Sequence, residues 1–387
     1  MDMAGTPSFD DAHALTRAQV AASGELRLIS AKEAVNPRFV ARWQTLAAEA
    51  SEPNPFFEPW CLIPALKHLH EGAKLALYAL VDGGQLRGLM PVCRTKRYYG
   101  YPVPHVATWL HSNAFCGAPL VARGYEQAFW RAVLDRLDRK PRGAMFLHLP
   151  QLPQDGPMAE ALAAVTSRDA RACTQVDASE RAMLQSDLSP EAYLEGSMTK
   201  KRRKELRRLF NRLSECGELT LEQRCGVEGL DDWITEFLAL ESAGWKGEAG
   251  SALANANATS AFFQESLQRA AIAGRLERLA LRLDGKAVSM LANFVTPPGA
   301  YSFKTTFDED YARFSPGLLL QLENLSLLDR DDVMWADSCA VEGHSMIERI
   351  WREKRGIVSC NVAIGGAFRR TLLKGMMAYE TRGRRGR

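Results

Sequence analysis

The chain has 387 residues, 46% hydrophobic and 25% charged, with a formal net charge of +3. That length suggests two domains, and the composition is that of a soluble globular protein with apolar material for two cores. The net charge is too small to imply nucleic acid by itself, and no run approaches the ~18 consecutive apolar residues of a membrane span. The N-terminal stretch carries Asp2, Asp10 and Asp11 without an apolar segment, so it does not read as a secretory signal. The eight cysteines contain no C-x-x-C pair. They read as buried or free thiols in a reducing compartment, with no metal site expected and a cytoplasmic location.

Residues 1–24 are small and polar and predict a flexible arm. Leu26–Ile29 predicts a short strand. Asn36 starts a helix with Pro37 at its first position, and Phe39, Trp43 and Leu46 follow at helical spacing. Leu75, Leu77, Ala79 and Val81 alternate, Asp82-Gly83-Gly84 turns the chain, and a return strand runs through Met90 and Val92. Val103–Leu110 extends this meander. Residues 124–138 predict a helix, and Ala144–Leu149 a buried strand. The loop His111–Pro119 is polar and aromatic; Asn113 and Phe115 in it can line an acceptor cleft or simply shape a turn.

The second half repeats the plan. Leu279, Leu281 and Leu283 alternate, Asp284-Gly285 turns the chain, and Ala300–Phe307 supplies a further strand. Pro316 starts a leucine-rich helix, and Val333–Ala336 is a short buried strand. The two Asp-Gly turns stand 202 residues apart (284 − 82), which predicts two repeats of domain size. Between the halves, Ser189-Pro190 begins a helix. Thr199–Leu209 follows, and Lys200, Lys201, Arg202, Arg203, Lys204, Arg207, Arg208 and Arg212 surround a stripe of Leu206, Leu209 and Leu213. This reads first as a solvated linker helix whose stripe packs on the second domain. RNA, an anionic membrane surface or the 3′-phosphate of a cosubstrate are the competing partners.

Three segments carry a resemblance. They are Asn54-Pro55-Phe56-Phe57-Glu58-Pro59-Trp60, then Glu241-Ser242-Ala243-Gly244-Trp245-Lys246-Gly247 with Gly250-Ser251-Ala252, and Ser315-Pro316-Gly317-Leu318-Leu319-Leu320. In this order they resemble the CelD/BcsL type of GNAT acyltransferases, which are similar to Fem-type transferases built from two GNAT-like domains. The resemblance implies an α/β fold of two tandem GNAT-like domains, each a mixed, largely antiparallel sheet flanked by helices. The organisation expected is an arm over 1–24, a first domain over 25–188 and a basic linker helix over 189–222. A second domain with the acyl-CoA site covers 223–368, and a basic tail covers 369–387. The chain departs from the family pattern after Asp337, where Ser338–Ser345 replaces an acidic–Gly–aromatic-Lys run, so the acceptor is not carried over.

The expected chemistry is acyl transfer from acetyl-CoA or another acyl-CoA to an amine or hydroxyl, with no metal. A helix N-terminus presents unpaired N–H groups and a positive dipole end, so Ser315, Pro316, Gly317 and Leu318 suit the pyrophosphate. The plain alternative is an ordinary capped helix start. Backbone at Thr305 and Phe307, on the fourth strand, suits the thioester. Trp245, Lys246 and Gly247 read as a wall of the acceptor site, or as a surface loop with a solvated lysine. Asp337, His344, Glu241 and Asp308 are the candidate bases, with a turn cap and a solvated loop residue as the competing readings for the first two. The acceptor expected is a small molecule or glycan precursor, with an envelope or polysaccharide connection implied by the resemblance. A Fem-like transferase using aminoacyl-tRNA, and a non-catalytic module binding RNA or an anionic surface, stand as alternatives; nucleic acid is the less favoured partner.

Overall fold

The computed structural model describes residues 24–70, 74–371, 373 and 375. The expected N-terminal arm and basic tail lie almost wholly outside the described residues. In chain order the elements begin with β1 (Glu25–Ile29), α1 (Ala31–Ala34), α2 (Pro37–Glu49) and α3 (Pro59–His68). β2 (Leu75–Asp82), β3 (Gln85–Thr95), β4 (His105–Thr108), β5 (Leu120–Val121), α4 (Glu126–Arg139), β6 (Phe146–Pro153), α5 (Pro157–Arg168) and β7 (Cys173–Leu184) follow. Next come α6 (Pro190–Ser197), α7 (Lys200–Ser214), β8 (Leu219–Cys225), α8 (Leu230–Ala243), α9 (Trp245–Glu248) and α10 (Asn257–Ile272). β9 (Leu276–Leu283), β10 (Lys286–Thr296), β11 (Gly299–Phe307), α11 (Pro316–Glu323), β12 (Trp335–Asp337) and β13 (Glu353–Ala363) complete the set.

These residues form two compact units that are not contiguous in sequence. The first takes 24–59, 74–178 and the chain from 358; the second takes 60–70 and 179–357. In the first unit the strand order is β1-β2-β3-β4-β6-β13, with β5 beside β3. Every pairing from β1 to β4 is antiparallel, and β6 then lies parallel to β4. The second unit repeats the ladder: β8-β9-β10-β11 are antiparallel, β12 is parallel to β11, and β7 follows β12. The repeat expected from the two turns is thus a repeat of strand pairing.

Local chemistry accounts for many of the boundaries. Asn36 caps α2 by accepting from Arg38 N at 3.0 Å, and Pro37 loses no hydrogen bond at the first helical position. Both hairpins turn on two residues with positive φ, Gly83 (54°) and Gly84 (77°) in one and Asp284 (50°) and Gly285 (80°) in the other. Such turns match the right-handed twist of the flanking strands. Thr199 caps α7, and Leu206 and Leu213 of that helix are buried in the second unit's core with Leu318, Leu281 and Leu319. The basic helix therefore packs its leucine stripe into this unit.

One helix crosses from its place in sequence. Residues 60–68 of α3 belong to the second unit, where the Trp60 ring meets Phe294 edge-on at 4.8 Å. Lys67 and His68 both reach Glu265 of α10 at 2.8 Å. Asn54, just before α3, stays in the first unit and donates to the carbonyls of Cys116 and Ala118. The Asn54–Trp60 motif thus has a structural part: a buried amide fixes one end and a buried indole the other. Among the described residues, no helix is long and apolar enough to cross a membrane.

Candidate active site

β12 pairs with β11 only from Gly299 to Tyr301, because the chain leaves the sheet after Asp337. The remainder of β11 runs on beyond that end. Asp308 N donates to Val288 O, and Phe307 stands opposite Ser289, so the N–H groups of 304, 306 and 308 point at β10. By the alternation of an antiparallel ladder, those of Thr305 and Phe307 point away from β10, toward the side β12 has vacated.

Next to this edge lies a clamp built from the second motif. Glu241, buried at the end of α8, accepts from Lys246 Nζ at 2.9 Å with one oxygen and from Leu253 N at 2.8 Å with the other. Lys246 Nζ also donates to Thr305 O at 3.0 Å, tying the clamp to β11. The Trp245–Lys246–Gly247 segment expected as a loop is the short helix α9, held because Lys246 O accepts from Ser251 N and Ala252 N. Trp245 itself is exposed. A Cβ on Gly247 would fall 1.8 Å from Ser242 O, so the position has room only for glycine. Gly247→Ala is expected to cost about 1–3 kcal/mol, because the obstacle is backbone. Urea unfolding measures this, and a variant as stable as the parent would show that the turn can open freely.

Lys304 lies on β11 near Lys246, Glu241 and Cys339. Burial pushes its ammonium down to about 8, and the positive charge of Lys246 acts in the same direction. His344, in the segment after β12, is half-buried, and its Nδ1 has no hydrogen-bond partner among the described residues. Burial also lowers its pKa, as does nearby Lys246, against the opposing pull of Glu348. The two basic groups beside the clamp are therefore both biased toward their neutral forms.

Asp337 is fully buried at the end of β12. Arg181 Nε meets it at 2.9 Å and Arg355 at 3.0 Å, and Cys339 N donates to it at 2.9 Å. Arg355 also stacks over the Trp335 ring at 4.3 Å. A carboxylate committed to two guanidiniums and a backbone N–H is a brace for the end of this strand.

Ser315 adopts a left-handed conformation (φ 53°) ahead of α11, and its carbonyl accepts from Leu318 N and Leu319 N. A Cβ at Gly317 would lie 3.2 Å from Met346 Sδ and 3.3 Å from the Phe307 ring. The glycine therefore also serves packing. A groove of about 330 Å³ runs beside this helix; Glu191, Glu195 and Glu323 line it together with Arg203 and Arg207, and Arg203 pairs with Glu195 at 3.5 Å.

Residues 200–338 match the family model of the acetyltransferase (GNAT) domain. Three solved structures are similar over most of the chain. FemX is 10% identical, with 83% of this chain and 95% of that one covered and a TM-score of 0.54. L-PGS from Bacillus licheniformis is 11% identical, covering 84% and 91%, with a TM-score of 0.53. A conserved protein from Bacteroides thetaiotaomicron is 13% identical, covering 84% and 96%, also at 0.53. No curated protein matches the chain in sequence.

The fold is the GNAT fold. In its terms β8 to β12 are strands one to five of the second unit, so Thr305 and Phe307 do stand on the fourth strand. The GNAT ladder also brings Glu241 and Lys246 to that strand's edge, with Lys304 and His344 near Lys246. Asn113 and Phe115 lie in the first unit, where Asn113 N donates to His111 Nδ1 and Phe115 packs edge-on against Phe56. Sequence reasoning placed Lys304 on the strand but gave its side chain no role, and it missed Arg181 and Arg355. A lysine inside an apolar strand was the available signal for Lys304; the two arginines, on separate strands, gave none.

Proposed function

We propose that the chain is an acyl-CoA-dependent N- or O-acyltransferase whose donor site lies in the second unit. The observation that carries this reading is the outward-facing backbone of Thr305 and Phe307 beyond the end of β12, with Lys304 and the Glu241–Lys246 clamp beside it. Acyl transfer needs donors aimed at the developing oxyanion and a group that removes a proton from the attacking amine or hydroxyl. The N–H groups of Thr305 and Phe307 suit the first task. Lys304, with its ammonium lowered to about 8, suits the second. The start of α11, Ser315 to Leu318, suits the pyrophosphate through the Gly317 N–H, since Pro316 has none and Leu318 N is taken by Ser315 O. Trp245, Lys246 and Gly247 form a wall for the acceptor. Asp337 and its arginines hold the strand end rather than exchange protons. The acceptor is a small molecule or glycan precursor, and the location is cytoplasmic.

Acetyl-CoA or a longer acyl-CoA is expected to raise the melting temperature. Saturation to ~100 times the dissociation constant adds about 2.7 kcal/mol. No shift with any CoA ester at millimolar concentration would remove this reading.

One observation favours a second reading, aminoacyl-tRNA as the donor. Lys200, Lys201, Lys204, Arg207 and Arg208 all stand exposed on α7. If they hold phosphates, transfer RNA binding must fall with salt, and replacing each with Gln must reduce the log–log slope by about 1. Salt-steep binding of transfer RNA without CoA binding would favour this donor.

A further inference from the structure

Of the eight cysteines, two stand on the same face of adjacent strands. Cys173 opens β7, Cys360 lies near the end of β13, and the two strands are neighbours in the sheet. Ala363 N donates to Ala172 O at 2.9 Å, while at the far ends Gln185 N reaches the Glu353 carboxylate. The strands therefore run antiparallel, and Val362 stands opposite Cys173. Side chains alternate along a strand, so Cys360 faces the same side as Val362, and hence the same side as Cys173, one diagonal step away. Both cysteines belong to the first unit.

The two thiols are close enough to interact electrostatically. The neighbouring Cys360 raises the Cys173 thiol, which keeps its proton, and Cys173 in turn holds Cys360 below the ordinary thiol range. Cys173 is exposed and Cys360 half-buried, so a small reagent can reach the pair. Other thiols differ. Cys93 is pushed up to about 11 by burial, Cys61, Cys116 and Cys339 are buried, and the exposed Cys216 and Cys225 lie in the turn before β8 and at its end.

We propose that Cys173 and Cys360 are a redox-responsive pair that closes to a disulfide when a low-molecular-weight disulfide is present. The Cys360 thiolate attacks one sulfur of the small disulfide and expels its other half as a thiolate, which takes up a proton. Cys173 then loses its proton and attacks the Cys360 sulfur of the mixed disulfide, releasing the second half as a thiol. The protein loses two electrons and two protons, and the small disulfide is reduced to two thiols. The new bond closes a covalent loop that contains all of residues 179–357, the bulk of the second unit. A cross-link over so long a loop restricts the unfolded chain.

The test uses the full chain, first reduced, then incubated with oxidised glutathione and read by intact mass and peptide mapping. The parent is expected to lose two of its eight thiols at this pair. The mapped Cys173–Cys360 peptide should carry no glutathione, and the melting temperature of the protein should rise by about 5 °C, reversed by dithiothreitol. Cys173→Ser and Cys360→Ser leave a similar-sized side chain; in each, the remaining partner should take up one glutathione, and the rise should vanish. Glutathione held stably on both cysteines of the parent, a covalent dimer through either, or a disulfide mapped elsewhere would overturn the proposal.

Discussion

Lys304→Met is expected to lower kcat by about 10²–10⁴-fold, the usual worth of a positioned proton acceptor. Methionine is close to lysine in length and removes a charge that burial disfavours, so folding should not suffer. The parent's pH profile carries the same signature. Lys304 accepts a proton only when neutral, and its pKa lies at about 8. Below pH 8 the active fraction falls about tenfold per unit, and above it the rate levels. In the Lys304→Met variant this limb disappears. The linkage to stability has a definite sign. The folded pKa is below the unfolded value, so the charged form opposes folding. That opposition is full below about pH 8 and fades as pH rises toward the ordinary lysine value, so the parent should gain stability relative to the Lys304→Met variant over this window. A rate profile that breaks below about pH 6.5, with normal turnover in the variant, would transfer the role to His344, whose pKa burial lowers.

Asp337→Ala is expected to destabilise the second unit by about 3–5 kcal/mol, because it leaves two buried guanidiniums without their counter-charge. Arg181 and Arg355 are 7% and 10% exposed at the side chain, so water cannot replace the carboxylate. Asp337→Asn retains the shape and can still accept from Cys339 N, so its loss should be smaller. Urea titration of the parent and both variants measures the difference. If both stayed within about 1 kcal/mol of the parent while turnover collapsed, Asp337 would be a proton-transfer group rather than a brace.

Much of the site was legible because its parts are local. Glu241, Lys246 and Leu253 fall within one short stretch of chain, and Gly247 sits between them, so one motif contains the clamp apart from its tie to Thr305 O. The alternation of Leu279, Leu281 and Leu283 and the Asp284-Gly285 turn fix the hairpin that leads to β11. Lys304 was harder. Its identity is visible in the sequence, but its lowered pKa comes from burial and from Lys246, 58 residues away (304 − 246).

The sequence by itself determined the repeated ladder, the turns, the helix starts and the buried stripe of the basic helix. All of these follow from periodicity and from the φ preferences and caps of neighbouring residues. Tertiary structure alone decided which unit each element joined and what surrounds each charge. Lys67 finds Glu265 across 198 residues, and Arg181 finds Asp337 across 156. Composition and periodicity carry no record of such partners. They are chosen by burial, where an ionised group must meet its counter-charge or forgo its charge, and only the packed chain specifies which groups are buried together.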